Sequence, residues 1–331
     1  MSGDDLLDCL IVGAGPAGLT AATYLVRYHR RIVVLDAGKS RARWIPTSHN
    51  APGFPRGIEG HTLLQQQREQ AIGYGADIED ACIAQLNRID EGFEAVAADG
   101  RRWRARFVIL ATGIVDVMPP LEGLEDAIAN GAVRLCPVCD GYEASDCRVA
   151  VYGPVDSTVS HALFLRTFSR EVTVIASDDA TPSPDALAQA RDAGIDVLPT
   201  PAKLAFEGRA TVARFADGRE LRFDTLYPTL GCAPNNDLAL QIGAELDANG
   251  EIVTGDDQQT HVDGVYAAGD VVSALNQIAV AVGHAAIAAT KIHNRLPRNW
   301  REREDLQPET AQALPSPPGT TGPETPKSAQ A

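Results

Sequence analysis

Two cysteines two residues apart, followed at once by a carboxylate, form the stretch of this chain best suited to chemistry: Cys136-Pro137-Val138-Cys139-Asp140. Thiols at this spacing can close a small disulfide and reopen it, and the adjacent acid can carry a proton for that exchange. The same spacing also supplies half of many zinc sites. Zinc takes about four ligands, normally completed by a second such pair. Cys9, Cys82, Cys147 and Cys232 are isolated here and the histidines are scattered. A redox dithiol is therefore expected, with no metal. For Asp140 the competing role is a stabilising charge at a helix start.

The elements around this pair indicate what it exchanges electrons with. An apolar run, Leu10-Ile11-Val12, ends in Gly13-Ala14-Gly15-Pro16-Ala17-Gly18. A helical pattern follows, then a second apolar run from Ile32 to Leu35 that ends in Asp36. Strand, glycine turn, helix, strand and acid together make a dinucleotide-binding unit. Gly13 permits the tight turn. Gly15 lets a pyrophosphate reach the backbone at a helix N-terminus, and Gly18 lets helix and strand pack closely. Asp36 can hold a ribose hydroxyl.

The unit recurs. Residues 149–176 align with residues 9–36 without a gap, placing Gly13 on Gly153 and Leu25 on Leu165. Two Rossmann-like units are expected. In the second, Val155 replaces Gly15, Thr158 replaces Gly18, and Ala176 replaces Asp36, followed by Ser177-Asp178-Asp179. A valine is expected to stand where a pyrophosphate must approach. The two acids would repel a 2′-phosphate. Asp178 contacting the ribose of NADH is the alternative.

Two further segments fit the intact unit. Ala111-Thr112-Gly113 closes a strand. Gly264 to Asp270 forms another, ahead of Asn276-Gln277-Ile278 and a long helix of small residues running to about Ile292. Taken with Asn50-Ala51-Pro52-Gly53-Phe54-Pro55 and Gly231-Cys232-Ala233-Pro234-Asn235, these motifs give a specific pattern. The chain resembles the low-molecular-weight thioredoxin reductases over about residues 6–296, and more closely their relatives that lack a working NADPH site.

The resemblance implies two α/β, Rossmann-like, three-layer domains, the second inserted into the first. It implies FAD held by Gly13, Ala14, Gly15, Pro16, Ala17, Gly18 and Asp36. Asn50 and Thr112 would lie by the flavin, with Gly269 and Asp270 at its ribityl chain and Gln277 and Ile278 at the last helix start. Cys139 would face the flavin and Cys136 the partner disulfide, with Asp140 moving the proton. The implied partner is a thioredoxin-like protein or a small dithiol or disulfide. Relatives without the nucleotide site use ferredoxin or a second flavin, or run in reverse as dithiol oxidases. The oxidases tend to carry His where Asp140 stands, which disfavours that group. The family's NADPH-binding glycines and basic cluster are absent at Gly153–Thr158 and Ala176–Asp178. Ser40 to Thr47 also replaces a Gly-Gly-Gln stretch. A homodimer is expected.

Composition agrees with this reading. The chain has 331 residues, 44% of them apolar, enough for two ordinary cores. A net charge of −15 argues against nucleic acid and anionic membranes. No apolar run is long enough to span a bilayer. The acidic N-terminus shows no signal peptide, and the setting expected for such a dithiol is the cytoplasm. Cys9, Cys82 and Cys232 read as small core residues. The expected organisation is a first FAD part (1–115), a degenerate nucleotide domain carrying the dithiol (116–244), a second FAD part (245–300) and a disordered Pro-rich tail (301–331). The crossings fall near Val117 to Pro120 and Gln241 to Glu245. Trp300 is expected to pack at a helix end, with a cover over the flavin as the alternative.

Overall fold

The computed structural model describes residues 6–272 and 275–301. The Pro-rich tail lies outside the described residues from position 302 on. Residues 6–296 belong to one compact unit. Residues 297–301 belong to a second, and the described part of it has no regular secondary structure.

Within the first unit, a seven-stranded sheet is built on Leu7–Val12, Ile32–Asp36, Asp77–Asp80, Arg102–Leu110 and Val265–Ala267, all paired in parallel. Ile83–Ile89 and Gly92–Ala97 extend it as an antiparallel meander. The long strand Arg102–Leu110 serves three partners: Leu7–Val12 along one edge and, along the other, the meander at Arg102–Ala105 and Val265–Ala267 at Val108–Leu110. Alternation along Leu7–Val12 feeds both faces. Cys9 and Ile11 pack beneath helices Pro16–Arg27 and Ile278–Arg295. Leu10 and Val12 pack against Leu86, Phe93 and Leu238 on the other side. Burial on both faces explains the unbroken apolar run, and each Leu or Ile so buried contributes about 1.5–3 kcal/mol.

The second domain repeats the plan. Asp196–Leu198, Val172–Ala176, Val149–Gly153 and Thr225–Pro228 form a four-stranded parallel sheet. Helices Val155–Leu165 and Pro184–Asp192 cover one face, and a second four-stranded sheet covers the other. The two Rossmann-like, three-layer domains expected from the sequence are present.

A short antiparallel ribbon connects them: Ile114–Asp116 pairs with Cys232–Pro234. The return crossing therefore falls near residue 231, about ten residues before Gln241 to Glu245. Asp237–Gln241 is already a helix of the first domain, because Leu238, Ala239 and Ala244 are apolar and bury against its sheet.

Candidate active site

Between the two domains lies a cleft of about 1070 Å³. Its floor is the first glycine turn. Gly13 has φ +106°, a conformation side chains resist, and a Cβ there would overlap the Ala111 carbonyl. A Cβ on Gly18 would overlap the Gly13 carbonyl. Gly18 lies under the turn and Gly13 to Ala17 line the cleft. The helix Pro16–Arg27 begins after Gly15 with its N-terminal amides unpaired by any side chain, which suits an anion. At the far end, Asp36 closes its strand. Its carboxylate accepts from the Gly38 N–H at 2.8 Å and from Arg68 Nη1 at 3.2 Å.

The remaining expected residues converge on the same cleft: Asn50, Thr112, Cys136, Cys139, Asp140, Gly269, Asp270, Gln277 and Ile278 all line it. Thr112 is fixed by a two-way link with Asn235: its hydroxyl donates to the Asn235 carbonyl at 2.6 Å, and Asn235 Nδ2 donates to the Thr112 carbonyl at 2.8 Å. Gln277 sits at the N-cap position of Ile278–Arg295, with its side chain turned away from the helix amides. Its Oε1 accepts from Asn50 Nδ2 at 2.9 Å. The buried Asn276 Oδ1, also in the cleft, has no hydrogen-bond partner among the described residues, which suits a donor on a bound molecule.

Cys136 and Cys139 form a disulfide that faces this cleft. Gln277 Nε2 stands 3.3 Å from Cys139 Sγ and 3.5 Å from Cys136 Sγ. A helix does start here, with the Cys139 N–H donating to Cys136 Sγ at 3.1 Å. It runs only from Pro137 to Asp140, so its dipole is small. Asp140 is held from both sides, by Arg134 Nη1 at 3.1 Å and the Tyr227 hydroxyl at 3.0 Å. Burial pushes its carboxyl pKa up, while Arg134 and Tyr227 pull it back.

Sequence reading missed three groups. Arg41 makes two hydrogen bonds to Asp116, at 2.6 and 2.9 Å, and lies 3.8 Å from Asp270. Arg134 and Tyr227 are the others. Their partners lie 75, 6 and 87 residues away. The basic Ser40 to Thr47 stretch was the one available signal, for Arg41. Cys82 and Cys232 correct an expectation. Both are exposed and Cys9 alone of the three is buried. Cys82 borders the cleft, and Cys232 sits on the connecting ribbon.

The second glycine turn differs from the first in backbone as well as side chain. The strand runs one residue further, through Gly153, and the helix opens at Val155, one residue earlier than its counterpart, so the loop shrinks from Gly13–Gly15 to Pro154 alone. Val155 does not stand in the groove: its side chain is 5% exposed and packs into the core, because the early helix start turns it inward. Thr158 bonds Thr229 at 2.7 Å, filling the space under the turn.

A family model described as pyridine nucleotide-disulphide oxidoreductase matches residues 7–285. The thioredoxin reductase of Mycolicibacterium smegmatis is 34% identical over 298 residues, 86% of this chain and 94% of that protein. That of Peptoclostridium acidaminophilum is 28% identical, covering 90% of this chain and all of that one. Among solved structures, the thioredoxin reductase from Streptococcus pyogenes aligns with a TM-score of 0.80 at 25% identity, over 88% of this chain and 98% of that one. The glycine turn, the helix N-terminus and the unpartnered amide oxygen of Asn276 in the cleft fit a dinucleotide such as FAD. This chain belongs to the pyridine nucleotide-disulphide oxidoreductase family and is an FAD-dependent disulfide oxidoreductase similar to the thioredoxin reductases.

Proposed function

We propose that this enzyme passes electrons between FAD and a disulfide through Cys136 and Cys139, and does so without NADPH. The observation that carries the second half is the altered second turn. Its loop is two residues shorter than the first, Pro154 offers no N–H, Asp156 occupies the first helical turn, and Ala176-Ser177-Asp178-Asp179 brings carboxylates where a 2′-phosphate needs cations. The electrons come instead from ferredoxin, a second flavin, NADH or the substrate dithiol itself. The partner is a thioredoxin-like protein or a small dithiol or disulfide.

Bound FAD supplies two-electron chemistry at its ring. Gly13 to Ala17 and Asp36 would hold its ADP half, with Gly18 letting the helix pack beneath the turn; Asn50, Thr112, Gly269, Asp270, Gln277 and Ile278 would surround the rest. Gln277 orients the disulfide against the cleft. Opening the S–S bond takes two electrons and yields two thiolates. Asp140 delivers one proton to a sulfur and is recharged from solvent. Cys139 faces the flavin; Cys136 attacks the partner disulfide and releases one partner thiol, and Cys139 then attacks the mixed disulfide, releasing the second thiol and re-forming the Cys136–Cys139 bond.

Turnover with thioredoxin and with small disulfides tests the first half. Cys136→Ser and Cys139→Ser are each expected to keep the flavin spectrum and lose exchange. Full turnover in either variant overturns the assignment.

A further inference from the structure

We propose that Arg134 and Tyr227 are positioning residues for Asp140, which grip its carboxylate from opposite sides and let it gain and lose a proton without moving. This rests on the reading of Asp140 as the proton carrier of the dithiol.

The backbone sets up the arrangement. The Arg134 N–H donates to the Leu226 carbonyl at 2.9 Å, and the Leu226 N–H donates to the Ala132 carbonyl at 2.9 Å. Arg134 and Tyr227 therefore project from two adjacent extended segments, although 93 positions separate them (227 − 134). The Tyr227 ring is fully buried in the second domain's core beside Val149 and Val151, which fixes its hydroxyl. That hydroxyl lies 3.0 Å from Asp140 Oδ1 and 3.2 Å from the main-chain carbonyl of the same residue. Arg134 Nη1 lies 3.1 Å from the other carboxylate oxygen, Oδ2.

Two acceptors on one residue make the Tyr227 hydroxyl a rotor. With Asp140 ionised, the hydroxyl donates to Oδ1 and the guanidinium to Oδ2. With Oδ1 protonated, the acid donates to the tyrosine oxygen, and the tyrosine hydrogen turns to the carbonyl. Arg134 Nη1 and the Tyr227 hydroxyl each keep an acceptor in both states, so the proton can move without leaving either of these two donors unpaired; Arg134 Nε is buried without a hydrogen-bond partner among the described residues in both. When the disulfide accepts two electrons from the cofactor and opens, one sulfur takes the proton of Asp140, and the new carboxylate is already met by two donors. Arg134 favours that charged form; Glu143, in the following turn, opposes it.

The test is a pH titration of the aspartate side-chain carboxyl carbons of the FAD-loaded protein by 13C NMR, with Asp140→Asn assigning the signal. The pH profile of flavin reduction by dithiothreitol is recorded beside it. Tyr227→Phe, which keeps the ring, and Arg134→Gln are each expected to raise the Asp140 midpoint by about one unit or more. The rate profile should shift by the same amount, and Arg134→Lys should restore most of it. A purely packing role would lower the melting temperature and leave the titration in place. Unshifted midpoints in both variants overturn the proposal. A wild-type rate profile in Asp140→Asn overturns the parent reading instead, so the two failures are distinguishable.

Discussion

The side-chain amide of Gln277 stands 3.3 Å from the sulfur of Cys139, although 138 residues separate the two. Gln277 opens the last helix of the first domain, and Cys139 belongs to the second. Asn50 holds the other end of the same amide at 2.9 Å. A relay of three side chains thus seats the disulfide against the cleft proposed to hold FAD. Neither Asn50 nor Gln277 touches the sulfur chemistry by sequence neighbourhood; the folding of the two domains onto each other brings them there.

Removing that seat should slow electron exchange without emptying the cofactor site. Gln277→Leu keeps the bulk and loses the polar contact, worth about 1 kcal/mol. The rate of flavin reduction by dithiothreitol is expected to fall several-fold, with the visible spectrum unchanged. An unaltered rate would mean that the contact of Gln277 with the sulfurs plays no part in electron exchange.

The glycines of the first turn should fail in different ways. An added Cβ at Gly15 meets only the Ser40 side chain, at 3.2 Å, whereas at Gly18 it meets the Gly13 carbonyl. Gly15→Ala should fold and bind FAD weakly, and Gly15→Val should strip it. Gly18→Ala should lose about 3 kcal/mol or more of stability, because backbone must move. Flavin content and denaturant melts of the two alanine variants check this. Equal stability of both contradicts the packing role of Gly18.

Arg41 neutralises Asp116 on the connecting ribbon and Asp270 beyond the strand Val265–Ala267. Arg41→Met leaves Asp116 and Asp270 without their counter-charge, and breaking such a half-buried pair costs about 2–3 kcal/mol. Burial already pushes the Asp270 carboxyl up, and loss of the guanidinium would push it further. A carboxyl whose folded-state pKa is raised costs stability above that pKa and recovers it as the pH falls. The deficit of Arg41→Met should therefore be larger at pH 7.5 than at pH 5 in urea melts. A deficit independent of pH would assign Arg41 a packing role alone.

Much of the fold was legible because Rossmann units signal themselves locally. Gly13 to Gly18 and Asp36 sit within one strand–helix–strand segment, and Val149–Gly153 repeats the first strand at the same phase. The redox pair was legible for the same reason. What escaped depends on contacts distant in sequence. The ribbon of Ile114–Asp116 and Cys232–Pro234 joins three-residue strands, too short for periodicity to register. Cys82 and Cys232 have apolar sequence neighbours, yet one lies at a cleft edge and the other on that ribbon. Arg134 gave no sign of its role, since Tyr227 comes from another strand. Val155 was identified as a departure, but its direction depended on where the helix begins.

The most direct measurement is anaerobic stopped-flow mixing of the FAD-loaded protein with millimolar NADPH, NADH and dithiothreitol in turn, following absorbance near 450 nm. The shortened second turn and the carboxylates at Asp178 and Asp179 should together weaken NADPH by several kcal/mol, roughly a thousandfold or more in affinity. The expected result is bleaching by the dithiol, dependent on Cys136 and Cys139, and none by NADPH. Rapid bleaching by NADPH would contradict it and make this an ordinary NADPH-dependent reductase.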